Sequence, residues 1–252
     1  MPNEEEEIHA IGLSGTDAKI GRKGEARTCT VGCLMFGIRN LRPEDVAGRD
    51  VIEVGACEVL GSLRPIVESW GPGSYLGVDI VSGNGVDEIC DAEDLLERYG
   101  PERFDVVIST EMIEHTRHWK KVVSNLKHLC RPGGILLVTT RSRGFHYHAY
   151  PYDYWRYELE DIRDIFADFA VERIEMDPRD PGVFVKAVRP AHFVEKNLSG
   201  YPLYSVVKGK RVVEIEERDF RTYHFRKIQY KMWKKEIKKK VKATMRSWVS
   251  SA

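Results

Sequence analysis

Four short, almost unbroken apolar runs constrain the fold of this chain more than any other feature. Val51-Ile-Glu-Val54 stops at Gly55, and Ser74-Tyr-Leu-Gly-Val78 stops at Asp79. Phe104-Asp-Val-Val-Ile-Ser109 is the third, and Gly134-Ile-Leu-Leu-Val-Thr-Thr140, opened by the turn Arg131-Pro-Gly-Gly134, is the fourth. Runs with so little polar alternation read as strands covered on both faces, the condition of a parallel sheet between helices. Helical patterns separate them: Leu60 to Ser69, Asp91 to Arg98, and Trp119 to Leu129, where Val122, Val123, Leu126 and Leu129 share one stripe. A helix from Glu158 to Phe166 and strands from Phe169 to Ile174 and Val183 to Val188 follow. The alternation predicts a doubly wound, mostly parallel α/β sheet. On this reading residues 1–48 are an N-terminal extension packing on the core through Cys33 to Ile38, residues 49–190 are the α/β domain, and residues 191–252 are a C-terminal extension.

Composition excludes several classes. The chain has 252 residues, 42% hydrophobic and 31% charged, enough to bury a core without disulfides or a structural metal. It has no apolar run of spanning length, and its first residues, Met1-Pro-Asn followed by four glutamates, lack the apolar segment of a secretory signal. The five cysteines include only one close pair, Cys29 and Cys33, a poor zinc pattern; reduced thiols in a cytoplasmic protein are expected. The formal net charge of zero hides segregation. From Arg221 onward eleven Lys/Arg face only Glu236, a net +10, which leaves −10 on the rest. Such asymmetry points to a partner for the tail.

The chemistry-bearing residues sit where the apolar runs end. Glu53 and Gly55 close the first run, and a glycine there lets a ligand approach the backbone at the carboxyl edge of the sheet. Cys57 and Val59 stand where a dinucleotide fingerprint has its further glycines. Asp79 ends the second run, where a carboxylate can accept both hydroxyls of a ribose; a solvated turn aspartate is the plainer alternative. Asp91 opens a helix, as a ligand residue or as a simple cap. The third run leads into Ser109-Thr-Glu-Met-Ile-Glu-His115.

This order of elements, with its Ser-x-Glu-x-x-Glu-His segment, resembles the class I S-adenosylmethionine-dependent methyltransferases over roughly residues 50–190. Asp79 to Asp87 and His148 to Arg156 look like a type 11-like subgroup associated with glycan and cell-surface polysaccharide biosynthesis. The resemblance implies a seven-stranded Rossmann-like sheet and S-adenosylmethionine as cofactor. It implies that Gly55 and Ala56, with Cys57 in place of a family glycine, line the methionine half of the cofactor, and that Glu53 lies near its ammonium group. Asp79, with Ile80 beside it, would bind the ribose; Asp91 and Ala92 would meet the adenine; Ser109, Thr110 and Glu111 would pass under the transferable methyl.

A hydroxyl acceptor needs a base or a metal to take up its proton's charge. Candidates cluster at Glu111, Glu114 and His115, and at His146, His148 and Asp153. Three readings stand. His115 or His148 is a general base, with Glu111 nearby; or Glu111, Glu114, His115 and one of His146 and His148, with His148 preferred, hold magnesium or manganese; or Glu114 and His115 only cap the following helix. The metal spacing is similar to that of small-RNA 3′-terminal 2′-O-methyltransferases and some quinone-biosynthesis O-methyltransferases. The loop from Phe145 to Tyr157 carries seven aromatics, suited to a sugar, a base or plain core packing. In the tail, Tyr230, Trp233, Ile237, Val241 and Trp248 recur at helical spacing among lysines. That pattern fits an anionic membrane surface, an RNA backbone or a stripe packed on the domain. The expectation is an O-methyltransferase acting on a saccharide or glycolipid at a cytoplasmic membrane face, with the tail from Arg221 dispensable for folding. An RNA 2′-O-methyltransferase and a non-catalytic cofactor-binding scaffold are the alternatives.

Overall fold

A computed structural model describes residues 30–57, 61–148 and 152–250. Two helices come first, α1 (Val31–Asn40) and α2 (Pro43–Val46). The Oγ1 of Thr30 accepts from the Cys33 amide and caps α1. The strands are β1 (Asp50–Val54), β2 (Ser74–Asp79), β3 (Glu88–Ile89), β4 (Phe104–Thr110), β5 (Cys130–Arg141), β6 (Trp155–Arg156), β7 (Ala170–Met176), β8 (Gly182–Val188), β9 (Leu203–Ser205) and β10 (Lys210–Val212). Between and after them run α3 (Arg64–Ser69), α4 (Leu95–Tyr99), α5 (Trp119–Leu129), α6 (Leu159–Ile165) and α7 (Tyr223–Ser250).

The main sheet has seven strands in the order β3-β2-β1-β4-β5-β8-β7. The first five are parallel, and β8 runs antiparallel between β5 and β7. The doubly wound, mostly parallel Rossmann-like sheet expected from the apolar runs is therefore present. The central strands β1, β4 and β5 are buried almost throughout, which is why they lack polar alternation. The edge strand β7 is exposed and carries Glu172, Arg173 and Glu175, charges that discourage edge-to-edge pairing.

Each face of the sheet has its own core. On one, Cys33, Leu34 and Phe36 of α1, with Leu41, Val46, Leu63 and Val67, pack on Val51, Val106, Ile108 and Leu137. On the other, Trp119, Val122, Leu126 and Leu129 of α5 and Ile162 and Ile165 of α6 cover Ile52, Val107 and Leu136. That second core also takes in Leu198, Leu203, Val207, Ile215 and Phe225 from beyond the sheet. A second sheet, β10-β9-β6, ties this segment to the aromatic loop through the antiparallel pairing of Trp155 with Ser205 and Arg156 with Tyr204.

Several boundaries differ from those read in the sequence. The helix expected from Leu60 starts at Arg64, and residues 58–60 lie outside the described set. Asp91 to Asp94 form a turn, so the helix expected from Asp91 begins at Leu95. The strand expected at Gly134 starts at Cys130 and carries the Arg131–Gly134 turn as an irregularity, with Gly133 at φ 76°. The tail is not free of the domain from Arg221, because Phe225, 1% exposed, is a core residue.

Candidate active site

The carboxyl ends of β1, β2 and β4 open onto a pocket, the position at which a doubly wound sheet binds its ligand. β1 leaves the sheet at Gly55, whose φ is 85° and where an added Cβ would lie 2.7 Å from the Met112 side chain. Both the left-handed backbone and the close approach require glycine there. Asp79 ends β2 on the pocket wall, its carboxylate oriented by two backbone amides: Cys57 donates to Oδ2 (3.1 Å) and Val81 to Oδ1 (3.2 Å). Ile80 lies beside it on the same wall. Asp91 accepts from the Glu93 amide (2.9 Å), and Asp91 and Ala92 face the pocket next to Cys90. Thr110, Glu111 and Met112 line the floor after β4.

Three expected cofactor residues lie behind the wall rather than on it. Glu53 is 2% exposed, and its Oε2 accepts from the hydroxyls of Tyr75 (2.6 Å) and Ser62 (3.3 Å). Ala56 and Ser109 are buried beneath the lining residues. Cys57, by contrast, lines the pocket, and Gly83 makes room for it, since a Cβ at Gly83 would meet the Cys57 sulfur at 2.6 Å. The departure from a glycine at 57 is thus accommodated from across the loop, and it supplies no argument for a scaffold that has lost catalysis.

The four residues considered as a metal set are not all brought together. Glu111 has a left-handed φ of 55°, and its carboxylate is ion-paired with buried Arg141, which also binds Asp177 (3.0 Å) and Thr30 (2.8 Å). Burial pushes the Glu111 carboxyl upward against the pull of Arg141. Glu114, His115 and His148 do converge. Their facing atoms, Glu114 Oε1 and the two Nε2 atoms, lie within 4.8 Å of one another. His115 is on the pocket wall, and His148 stands behind it at 3.1 Å, Nε2 to Nε2. His146 stays exposed, outside this group.

The hydrogen bonds fix how protons are shared. His115 Nδ1 is 2.7 Å from the Tyr152 carbonyl oxygen, which only accepts, so Nδ1 carries the proton of the neutral ring and Nε2 offers a lone pair. Burial holds the His115 ring below the usual histidine range. For His148, burial would also lower the value, but the hydrogen bond to Asp153 and the nearby Glu114 carboxylate win and raise it to about 9. A cationic His148 donates from Nδ1 to Asp153 Oδ2 (3.0 Å) and from Nε2 to His115. Asp153 is held well below the usual carboxylate range, against burial, by Arg156 and His148. Arg156 and Asp153 pair with each other as well as with this network. Glu114 accepts from Thr140 at Oε2 (2.9 Å), while its buried Oε1 has no hydrogen-bond partner.

Arg117, Thr116 and Tyr154 complete the wall and escaped the sequence reading. Arg117 lies just past the Glu-x-x-Glu-His segment, and Tyr154 in the aromatic loop was one of many aromatics with nothing to single it out.

A methyltransferase-domain family model covers residues 34–172, more than half of the chain. The chain belongs to the class I S-adenosylmethionine-dependent methyltransferases. Among solved structures, this methyltransferase is similar to a putative methyltransferase from Haloferax volcanii in complex with the Trm112 methyltransferase activator, at TM-score 0.52 and 15% identity, over 77% of this chain and 100% of that one. It is similar to 1,6-didemethyltoxoflavin-N1-methyltransferase from Burkholderia thailandensis, solved with 1,6-didemethyltoxoflavin and S-adenosylhomocysteine, at TM-score 0.51 and 14% identity, over 75% and 92%. At these identities the likeness is one of fold. No curated protein sequence matches the chain. S-adenosylmethionine fits the residues present: a glycine with a left-handed backbone where β1 opens onto the pocket, and a carboxylate already aimed by two amides.

Proposed function

We propose that this methyltransferase O-methylates a hydroxyl of a saccharide or glycolipid intermediate. The carrying observation is His115 on the pocket wall, paired with His148 behind it and backed by Glu114 and Asp153. S-adenosylmethionine, when bound, supplies a methyl group on a sulfonium. Asp79 is placed to take the ribose diol, Asp91 the adenine amino group, and Gly55 the methionine half. A hydroxyl ionises far above neutral pH, so its attack needs a proton acceptor within hydrogen-bond reach. A neutral His115 offers one at Nε2; an acceptor hydroxyl that reaches it takes the place of His148 there. Glu114 and Asp153 then steady the added positive charge against the repulsion of His148, and Tyr152 and Tyr154, with ring centres 5.7 Å apart, give faces on which a sugar ring can rest.

One observation favours a second route to the same product. Ligands about 2.1 Å from a first-row ion stand roughly 3–3.5 Å apart, and the three facing atoms here are separated by 3.1, 3.7 and 3.9 Å. Glu114 Oε1 lacks a hydrogen-bond partner, and both rings donate their Nδ1 protons to a carbonyl or a carboxylate, the usual support of imidazole ligands. A divalent cation in this set would lower the acceptor hydroxyl's pKa and grip a vicinal diol. An RNA acceptor is disfavoured, because everything before the tail carries −10 and repels a polyanion.

Transfer of labelled methyl to fractionated lipids, glycans and RNA tests the proposal. Label in a glycan or glycolipid ether is expected; label confined to RNA, protein or a nitrogen atom overturns it. Chelation separates the two routes. EDTA abolishes transfer, and manganese or magnesium restores it, only if the cation is used.

A further inference from the structure

Helix α7 carries two apolar stripes on opposite sides. Phe225, Ile228 and Met232 follow one another at three- and four-residue steps. Phe225 is buried in the main core, Ile228 packs against that core, and Met232 is half-buried. Tyr230, Trp233, Ile237 and Val241 follow the same steps on the other side and are 52, 58, 40 and 48% exposed. The Tyr230 and Trp233 rings stack at 5.8 Å, and the Lys234 ammonium lies 4.8 Å from the Tyr230 ring centre. The Phe225 stripe roots the helix on the domain, and the Trp233 stripe faces solvent. Exposed Lys231, Lys234, Lys235 and Lys238 interleave with the outward stripe. The sequence continues with Lys239, Lys240, Lys242, Arg246 and Trp248.

The root of the helix is also the rim of the pocket. Phe225 meets Phe220 at 5.4 Å, and Phe220 meets Tyr152 and Tyr154 at 6.0 and 6.2 Å. Arg117 and Tyr154 both line the pocket, and Arg117 donates to the Ile215 carbonyl (2.9 Å) and pairs with Glu217.

We infer that α7 docks the enzyme on an anionic lipid surface, with Tyr230, Trp233, Ile237 and Val241 entering the interface and the lysines meeting the headgroups. Charge complementarity selects this occupant. A second copy meeting it through the same helix would bring one lysine-rich surface against another, and a neutral partner would leave the lysines unanswered. No helix among the described residues is long and apolar enough to cross a membrane, so α7 lies along the surface. Docking holds the pocket rim at the headgroup level, where a lipid-linked hydroxyl is presented. That consequence rests on the acceptor proposal; the docking itself does not.

The test is sedimentation of the full chain with vesicles of phosphatidylglycerol and phosphatidylcholine. The protein is expected to pellet with mixed vesicles at low salt, and to be released by pure phosphatidylcholine or high salt. A variant combining Trp233→Ser, Ile237→Ser and Val241→Ser should bind mixed vesicles at least tenfold more weakly, with unchanged affinity for S-adenosylhomocysteine by calorimetry. Failure of the full chain to pellet at low salt overturns the inference, as does equal binding by the variant. Self-association or RNA binding that the same three substitutions abolish, without vesicle binding, gives the stripe to that partner and overturns it too. Methyl transfer to a soluble saccharide reports on the acceptor proposal separately, because it needs no vesicle.

Discussion

On the cofactor side of the pocket, each residue is set by the ends of the parallel strands. Gly55 is where β1 leaves the sheet, Asp79 is oriented by amides of Cys57 and Val81, and Asp91 by the amide two residues on. On the acceptor side the partners come from several distant segments. His115 follows β4, His148 follows β5, and they depend on the Tyr152 carbonyl, on Asp153 with its Arg156, and on a wall that Phe220 and Ile215 brace from the far end of the chain. The residues proposed for the cofactor come from the ends of the parallel strands, while the proposed acceptor site also draws on the C-terminal segment folded over the aromatic loop.

Truncation is the strongest way to break this comparison. A chain cut after Tyr204 loses Val207, Ile215 and Phe225, each nearly inaccessible to solvent, and interrupts β9. Losses of about 2–5 kcal/mol per large buried side chain together rival the roughly 5–15 kcal/mol of a whole domain. Thermal and urea melts should show a protein that no longer unfolds cooperatively. A cut after Met232 removes only the far part of α7 and should leave the melt unchanged; a matching collapse there would mean that the outward stripe is structural.

Catalysis should separate from cofactor binding almost as sharply. His115→Ala is expected to slow transfer by about a hundredfold or more, the range for loss of a general base, and His148→Ala by less, with calorimetric affinity for S-adenosylhomocysteine intact in both. A variant that loses cofactor affinity in proportion to rate would erase the distinction between the two sides. In the reverse direction, Asp79→Ala removes a charged acceptor of hydrogen bonds, worth roughly 1.5–3 kcal/mol. S-adenosylmethionine should then bind about ten- to a hundredfold more weakly, with little change in rate at saturation. Equal affinities would remove Asp79 from the site.

A further effect is on pH. In chelator-treated protein, His148 has its pKa raised from 6.5 to about 9 by folding. Its contribution to stability is fully present below about pH 6.5 and disappears as pH rises through about 9. His148→Gln should flatten melts recorded across that interval, and an unchanged slope would show that His148 is not the charged member of the pair.

The same contrast decides what the sequence could tell. β1, β2, β4 and β5 were legible because strands covered on both faces have little freedom to be polar, and Gly55, Asp79 and Asp91 because they punctuate those runs. Convergence of His115 with His148 was legible only as both following strand ends. That Glu111 would turn to Arg141 was not, since its partner lies thirty residues on and its left-handed backbone leaves no mark in the sequence. Nor were β6, β9 and β10, each two or three residues long, which have no period to read. The core role of Phe225 was hidden inside a helix whose two opposed stripes blur each other.

Cys57 and Gly83 share one small volume: the sulfur of the first occupies the space a side chain on the second would need. Neither position can change freely alone. A methyl group added at 83 would drive the sulfur toward the cofactor, while a glycine at 57 would release 83 to grow. Relatives of this enzyme should therefore vary at these two sites in concert, and a swap engineered at one is better made as a double exchange than as a single one.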